Sequence, residues 1–196
     1  MTARSQPPPH GWRYEESFLA AAEEAQLLVH IGSLPFRAAP YREWTAKRRI
    51  VSYGGSYDFG SNELKPAPPV PEFLHALRAR VAAWSALAPE RLTHATITEY
   101  RPGTQLGWHR DVPEFEEVAG VSLLGVARMR FRPYPPGKGQ RSVFSLELAP
   151  RSVYLMSGAV RWSWQHAISP TTELRYSITF RSRRAAGAAP RTVSGA

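Results

Sequence analysis

Cysteine is absent from this chain, which excludes a disulfide framework, a thiolate metal site and a cysteine nucleophile. No apolar run approaches the roughly 20 residues that a membrane-spanning helix requires, so no membrane association is expected. The opening residues Met1-Thr2-Ala3-Arg4-Ser5-Gln6-Pro7-Pro8-Pro9 lack the apolar core of a secretory signal. Together with the missing cysteines, this makes a cytoplasmic location the expectation. Acidic residues are scarce relative to basic ones, 16 against 25, for a net charge of +9. That balance favours polyanionic partners through steering and counterion release. Part of the excess lies at Arg181, Arg183, Arg184 and Arg191, where a solvated tail accounts for it equally well.

What is present is globular: 196 residues, 43% of them hydrophobic, enough for one domain with a proper core. We expect that domain to be a monomer spanning 12–184, between flexible tails at 1–11 and 185–196. A helix is expected over about Glu15 to His30, with acidic residues in its first turn, then a loop from Pro35 to Pro40. Lys47 to Tyr53 reads as a strand opening into Gly54-Gly55-Ser56-Tyr57-Asp58-Phe59-Gly60. That glycine-punctuated run, within 47–61, either presents Tyr53, Tyr57 and Phe59 as a lid that stacks a planar substrate or packs its aromatics at a turn. A second helix is expected over about Pro71 to Leu87, where Phe73, Leu74, Leu77, Val81 and Trp84 form one stripe.

After Pro89 short β-rich segments follow: Thr93–Tyr100, Gln105–Arg110, Val118–Phe131, Ser142–Leu148, Ser152–Met156, Trp162–Ile168 and Leu174–Arg181. Turn signals such as Arg101-Pro102-Gly103 and Pro135-Pro136-Gly137 separate several of them. The pattern predicts a mainly β fold with flanking helices, a sandwich or jelly roll with the two helices packed on it. In the last segment, Arg175, Ser177, Thr179 and Arg181 alternate with Tyr176, Ile178 and Phe180. Such alternation places one face on the core and the other either in water or inward, toward an anionic ligand in the barrel mouth.

Trp108-His109-Arg110-Asp111 carries the chemistry. In extended backbone His109 and Asp111 point one way and Arg110 the other. An imidazole and a carboxylate on one face are two ligands of the 2-His-1-carboxylate set that suits non-haem Fe(II) and leaves coordination positions open. His166, in Trp162-Ser163-Trp164-Gln165-His166, is the candidate third ligand. His10, His30, His75 and His94 read as structural, and Trp108 as core or, in the alternative, as a ring that stacks a flipped base.

The order of these landmarks resembles the AlkB-type family of Fe(II)- and 2-oxoglutarate-dependent dioxygenases. The resemblance runs from about Arg48 to Arg181. It rests on Tyr100-Arg101-Pro102-Gly103, Trp108-His109-Arg110-Asp111, Ser122-Leu123-Leu124-Gly125, Arg128-Met129-Arg130-Phe131, Gln165-His166 and the strand from Arg175 to Arg181. It implies a double-stranded β-helix with His109, Asp111 and His166 as iron ligands and catalytic centre. It further implies that Arg175 pairs with the distal carboxylate of 2-oxoglutarate, helped by Tyr100, and that Arg181 sits near the keto-acid end or the iron-bound carboxylate. Thr98 and Ser177 stand where the family often has asparagine, and would contact the co-substrate with shorter reach. Tyr53-Gly54-Gly55-Ser56-Tyr57 is similar to the family's nucleotide-recognition lid, with Arg110 meeting substrate phosphate or bracing that lid. Pro113 departs from the acidic residue with which some members contact a base; Glu114 or Glu116 stands nearby to replace it.

The implied chemistry consumes 2-oxoglutarate and O2 and releases succinate and CO2 while a C–H bond is hydroxylated. On an N-methyl group the product collapses to formaldehyde and the demethylated amine. The expected substrate is alkylated DNA or RNA. A protein side chain or small molecule is the alternative, and a non-catalytic nucleic-acid-binding jelly roll a third reading.

Overall fold

A computed structural model describes residues 8–41, 44–58, 60–61, 63–139 and 144–185. Eight consecutive strands make two facing four-stranded sheets. They are β6 (Leu92–Tyr100), β7 (Leu106–His109), β8 (Phe115–Leu124), β9 (Ala127–Pro133), β10 (Phe144–Leu148), β11 (Val153–Met156), β12 (Trp164–Ile168) and β13 (Arg175–Arg183). The small sheet runs β10-β9-β12-β7, and β11-β8-β13-β6 form the centre of the large one. This is the expected jelly roll, and closing two sheets on one another is how such strands bury their inner faces.

Three strands widen the large sheet: β1 (Trp12–Glu15) beside β11 at one edge, and β3 (Trp44–Tyr53) and β2 (Arg37–Tyr41) beyond β6 at the other. The expected helix from Glu15 and loop from Pro35 are therefore corrected. Trp12 to Glu15 instead pairs with Met156 to Val153, and Trp12 stacks on Tyr154 at 5.4 Å. Of the segment expected as an N-terminal tail, residues 8–11 are tied down: Trp12 N–H donates to Pro9 O (3.1 Å) and Ser157 N–H to Gly11 O (3.0 Å). Residues 1–7 and 186–196 lie outside the described residues. The expected single segment Val118–Phe131 is two strands in different sheets: β8 ends at Leu124, where φ is 64°, and the chain crosses to the small sheet as β9.

Helices α1 (Ala21–Gly32) and α2 (His75–Trp84) cover the outer face of the large sheet. Leu27 and Ile31 of α1 and Leu77 and Val81 of α2 bury against Ile97, Val121, Ile178 and Phe180. Each such fully buried side chain contributes about 1.5–3 kcal/mol relative to exposure. Phe73 and Trp84, expected in the stripe of the second helix, are only partly buried beside it. Helix α1 starts without a hydroxyl cap; the Glu23 carboxylate accepts from Ala20 N–H at 2.7 Å and meets the positive end of the helix. Glu24 is buried and accepts from Leu124 N–H (2.8 Å) and Arg151 (3.1 Å), which pins the helix to the β8–β9 turn. The covered face of β13 is the apolar one, so Arg175, Ser177, Thr179 and Arg181 point into the roll.

Gly120 of β8 lies between Thr179 of β13 and Tyr154 of β11 on that inner face. A Cβ there would stand 2.2 Å from Tyr154 Cζ. Gly120→Ala should therefore destabilise the fold by about 1–3 kcal/mol, as overpacking does, and lower the denaturation midpoint at unchanged m-value.

Candidate metal and cofactor site

The open end of the roll encloses a cavity of about 880 Å³. His109 closes β7, Asp111 follows in the loop, and His166 lies opposite His109 in the β12–β7 ladder, beside a register shift. One donor atom from each of the three lies within 4.8 Å of the others. Asp111 Oδ2 is 3.5 Å from His166 Nε2. His109 Nδ1 must carry its proton, because it donates to Gly107 O at 2.9 Å. That leaves Nε2 with a lone pair, the tautomer a metal needs.

Electrostatics favour the same protonation states. Burial, with a smaller contribution from His109, pushes His166 down to about 3. Burial likewise lowers His109, against the opposing pull of Asp111. Both imidazoles are thus neutral at pH 7 and free to ligate. Burial would raise Asp111, but Arg181, His166 and Arg161 together outweigh it and hold the carboxyl well below its ordinary range. Arg181 Nε donates to Asp111 Oδ1 at 3.0 Å and its Nη1 to Thr96 Oγ1 at 3.1 Å.

Deeper in the cavity Arg175 is 1% exposed, the bulkiest fully buried side chain among the described residues. Its Nε donates to Ser122 Oγ at 2.9 Å, and its guanidinium lies 5.0 Å from the Tyr100 ring centroid. Its Nη1 is buried with no hydrogen-bond partner. A buried, partly unpaired guanidinium is costly unless an anion completes it. A dicarboxylate seated between Arg175 and the triad fits that demand. Register sets the spacing: Arg175 stands beside Tyr100, Ser177 between Thr98 and Ser122, and Arg181 beside His94.

Comparison with known proteins agrees with this geometry. Residues 20–181 match the 2OG-Fe(II) oxygenase superfamily. The chain belongs to that family. Its relatives make it an AlkB-type member, and it is a dioxygenase, of a family that uses Fe(II), 2-oxoglutarate and O2. It is 29% identical over 175 residues to the alkylated DNA repair protein ALKBH8 homolog of Arabidopsis thaliana, covering 77% of this chain and 48% of that protein. It is 31% identical over 170 residues to the Xenopus tropicalis tRNA (carboxymethyluridine(34)-5-O)-methyltransferase alkbh8, covering 83% and 26%. The oxygenase thus spans about half of the plant relative's length and a quarter of the frog one's. The solved structure of OsALKBH1 superposes with a TM-score of 0.71 at 18% identity, over 90% of this chain and all of that one; it shares the fold.

The expected residues do not all meet in this oxygenase. Thr98, Tyr100, Ser177, Arg175, Arg181, Tyr57 and Arg110 line the cavity with the triad. Tyr53, expected to contact substrate, does not: it is 8% exposed and packs in the core under α1 and α2. Strand alternation is the reason, since Arg48, Ile50 and Ser52 of β3 face the cavity and Val51 and Tyr53 face the helices. The expected loop at 54–60 contains β4 (Ser56–Asp58), paired with β5 (Glu63–Lys65), and Phe59 lies outside the described residues. Trp108 is corrected as well: rather than core, it is half-buried against Arg130 and Arg132 and lines the cavity edge. Arg110 lies 3.8 Å above the Tyr134 ring and donates to Trp162 O at 3.1 Å.

Two cavity residues escaped the sequence reading. Arg161, in α3 (Gly158–Trp162), is buried and donates to Val112 O (2.6 Å) and Phe115 O (2.8 Å), holding the loop that carries Asp111. No local pattern marks it. His94 was legible, because His94, Thr96, Thr98 and Tyr100 alternate along β6 onto one face. Burial, and then Arg181 and Arg183, push His94 down to about 4. It is neutral in the fold, whereas an unfolded histidine titrates near 6.5. Its contribution to stability is therefore complete above about pH 6.5 and is lost as pH falls toward 4, at about 1.4 kcal/mol per pH unit for one proton. In urea melts across that window His94→Gln should flatten the slope by one proton's worth.

Proposed function

We propose that this oxygenase oxidatively dealkylates bases in nucleic acid, with His109, Asp111 and His166 holding Fe(II). Arg175, over Tyr100, receives the distal carboxylate of 2-oxoglutarate, with Thr98 and Ser177 as polar neighbours. Arg181 braces Asp111 and so fixes the carboxylate ligand's orientation. When bound, the metal and co-substrate supply the oxidation that hydroxylates a C–H bond, and an N-methyl carbon so oxidised leaves as formaldehyde. The protein's own share is to position the target carbon and keep the other coordination positions open.

The observation carrying this reading is the cavity's mouth. Planar rings of Tyr57, Tyr134 and Trp162 stand beside the cations of Arg48 and Arg110 there, a combination suited to a flipped base and its phosphate. Glu116 accepts from Trp162 Nε1 at 3.3 Å, whereas Glu114 Oε2 is buried without a partner. Neither of them lines the cavity, so neither stands in for an acidic residue at Pro113. We read the unit as a monomer over residues 8–184 acting in the cytoplasm, where a chain without cysteine has no disulfide to form.

Incubation with Fe(II), 2-oxoglutarate and a panel of N-methylated DNA and RNA oligonucleotides should yield formaldehyde and succinate in equal amounts. Turnover confined to a methylated protein or small molecule, with none on any nucleic acid, would overturn the substrate assignment and leave the oxygenase chemistry standing.

A further inference from the structure

Outside the cavity, the small sheet turns a strongly basic face to solvent. Along β9, Arg128, Arg130 and Arg132 point outward, while Met129 and Phe131 between them are 1% and 0% exposed. Among the described residues neither Arg128 nor Arg130 takes part in an ion pair, and Arg130 Nε is buried with no partner. Glu147 stands across from Arg128 in the β10–β9 ladder, yet Arg128 Nη2 donates to Ser145 Oγ at 3.2 Å. From β7, Trp108 presents its ring to two of these cations, with Arg130 Cζ at 5.1 Å and Arg132 Cζ at 4.5 Å from the centroid. Arg132 Nε is oriented by Gln165 Oε1 at 2.8 Å.

Cation–π contact offsets part of the repulsion between guanidiniums on one ring, but it supplies no counter-charge. Outward side chains on one strand recur every ~6.8 Å, a spacing comparable to that of successive phosphates along an extended single strand. The row is also continuous with the cavity mouth. Trp108 and Gln165 line that cavity, and beyond β9 the Tyr134 ring carries Arg110 at 3.8 Å.

We infer that the outer face of β9 and β7 is a track for the sugar–phosphate backbone of single-stranded nucleic acid, leading to the cavity mouth. This rests on the nucleic-acid reading above and extends it from the target base to the flanking strand. Phosphates bridge the arginines, and Trp108 offers an aromatic edge on which a flanking base can lean.

The test is fluorescence anisotropy of a labelled 15-nucleotide single strand with the full chain, loaded with 2-oxoglutarate and Mn(II), over a range of salt concentrations. Arg128→Ala and the double variant Arg128→Ala/Arg130→Ala are compared with Arg80→Ala. The last removes a charge from the helical side, where Arg80 pairs with Glu23. The track predicts a salt slope reduced by about 0.7 per arginine removed, and affinity lowered roughly fivefold or more by the double variant at 0.1 M salt. Arg80→Ala should behave as wild type. Equal binding by all variants, an equal loss in Arg80→Ala, or no binding by the wild type would overturn it. Formaldehyde release from the methylated strand is read in parallel with Fe(II). Track-dependent binding without formaldehyde would sink the dealkylation reading and leave the track intact.

Discussion

Arg175→Met should weaken 2-oxoglutarate binding by about 30-fold or more while leaving metal affinity nearly unchanged. The magnitude follows from truncating one partner of a buried charge pair, which costs about 2–5 kcal/mol. Arg175 is held ready for such a pair: it is 1% exposed, fixed through Nε by Ser122 and backed by the Tyr100 ring, with Nη1 unpartnered. In the absence of co-substrate the sign reverses. A buried guanidinium lacking an anion is a burden on the fold, so an apolar side chain of similar length should raise the melting temperature. Calorimetric titration of 2-oxoglutarate into the Mn(II) form gives the first quantity and thermal melting of the ligand-free chain the second. Unchanged co-substrate affinity would remove Arg175 from the binding assignment, whatever happens to stability.

The second large effect belongs to Asp111. Asp111→Ala should abolish turnover and weaken Co(II) binding by more than the roughly 10–100-fold that loss of an outer-shell partner produces. Arg181→Leu, which removes the 3.0 Å donor to Asp111 Oδ1, should fall within that outer-shell range. The two substitutions also differ in stability. Removing the carboxylate strands Arg181 and Arg161 around the site, and an uncompensated buried charge costs about 3–5 kcal/mol; Asp111→Asn keeps the shape and separates charge from volume. Optical titration with Co(II) and urea denaturation of the metal-free variants measure both. A tight Co(II) site in Asp111→Ala would show that the carboxylate is not a ligand.

Much of this site was legible because strand periodicity is local. His109 and Asp111 share a face by alternation alone, and the row Arg175, Ser177, Thr179 and Arg181 was visible as one face of one strand. The same rule accounts for Tyr53, the last residue of the expected strand: alternation along β3 puts it on the helix-covered face and not at the cavity. The acidic start and alanine-rich sequel favour a helix already from Glu15, yet Glu15 ends β1 and the helix begins at Ala21. Pairing with β11 overrides that preference, as tertiary contacts commonly do.

The sequence by itself determined the candidate ligand types, their order and the alternation that puts His109 and Asp111 on one side, together with the basic surplus that points to a polyanion. Only the tertiary structure decided which face of the last strand looks inward. Helices α1 and α2 cover the apolar side, so the arginine side must line the cavity. It also decided that His166 comes opposite His109, because that pairing depends on β12 lying between β9 and β7. The placement of Arg161 against the Asp111 loop and of Arg130 and Arg132 on Trp108 arose in the same way. These contacts join residues distant along the chain, and no local periodicity encodes them.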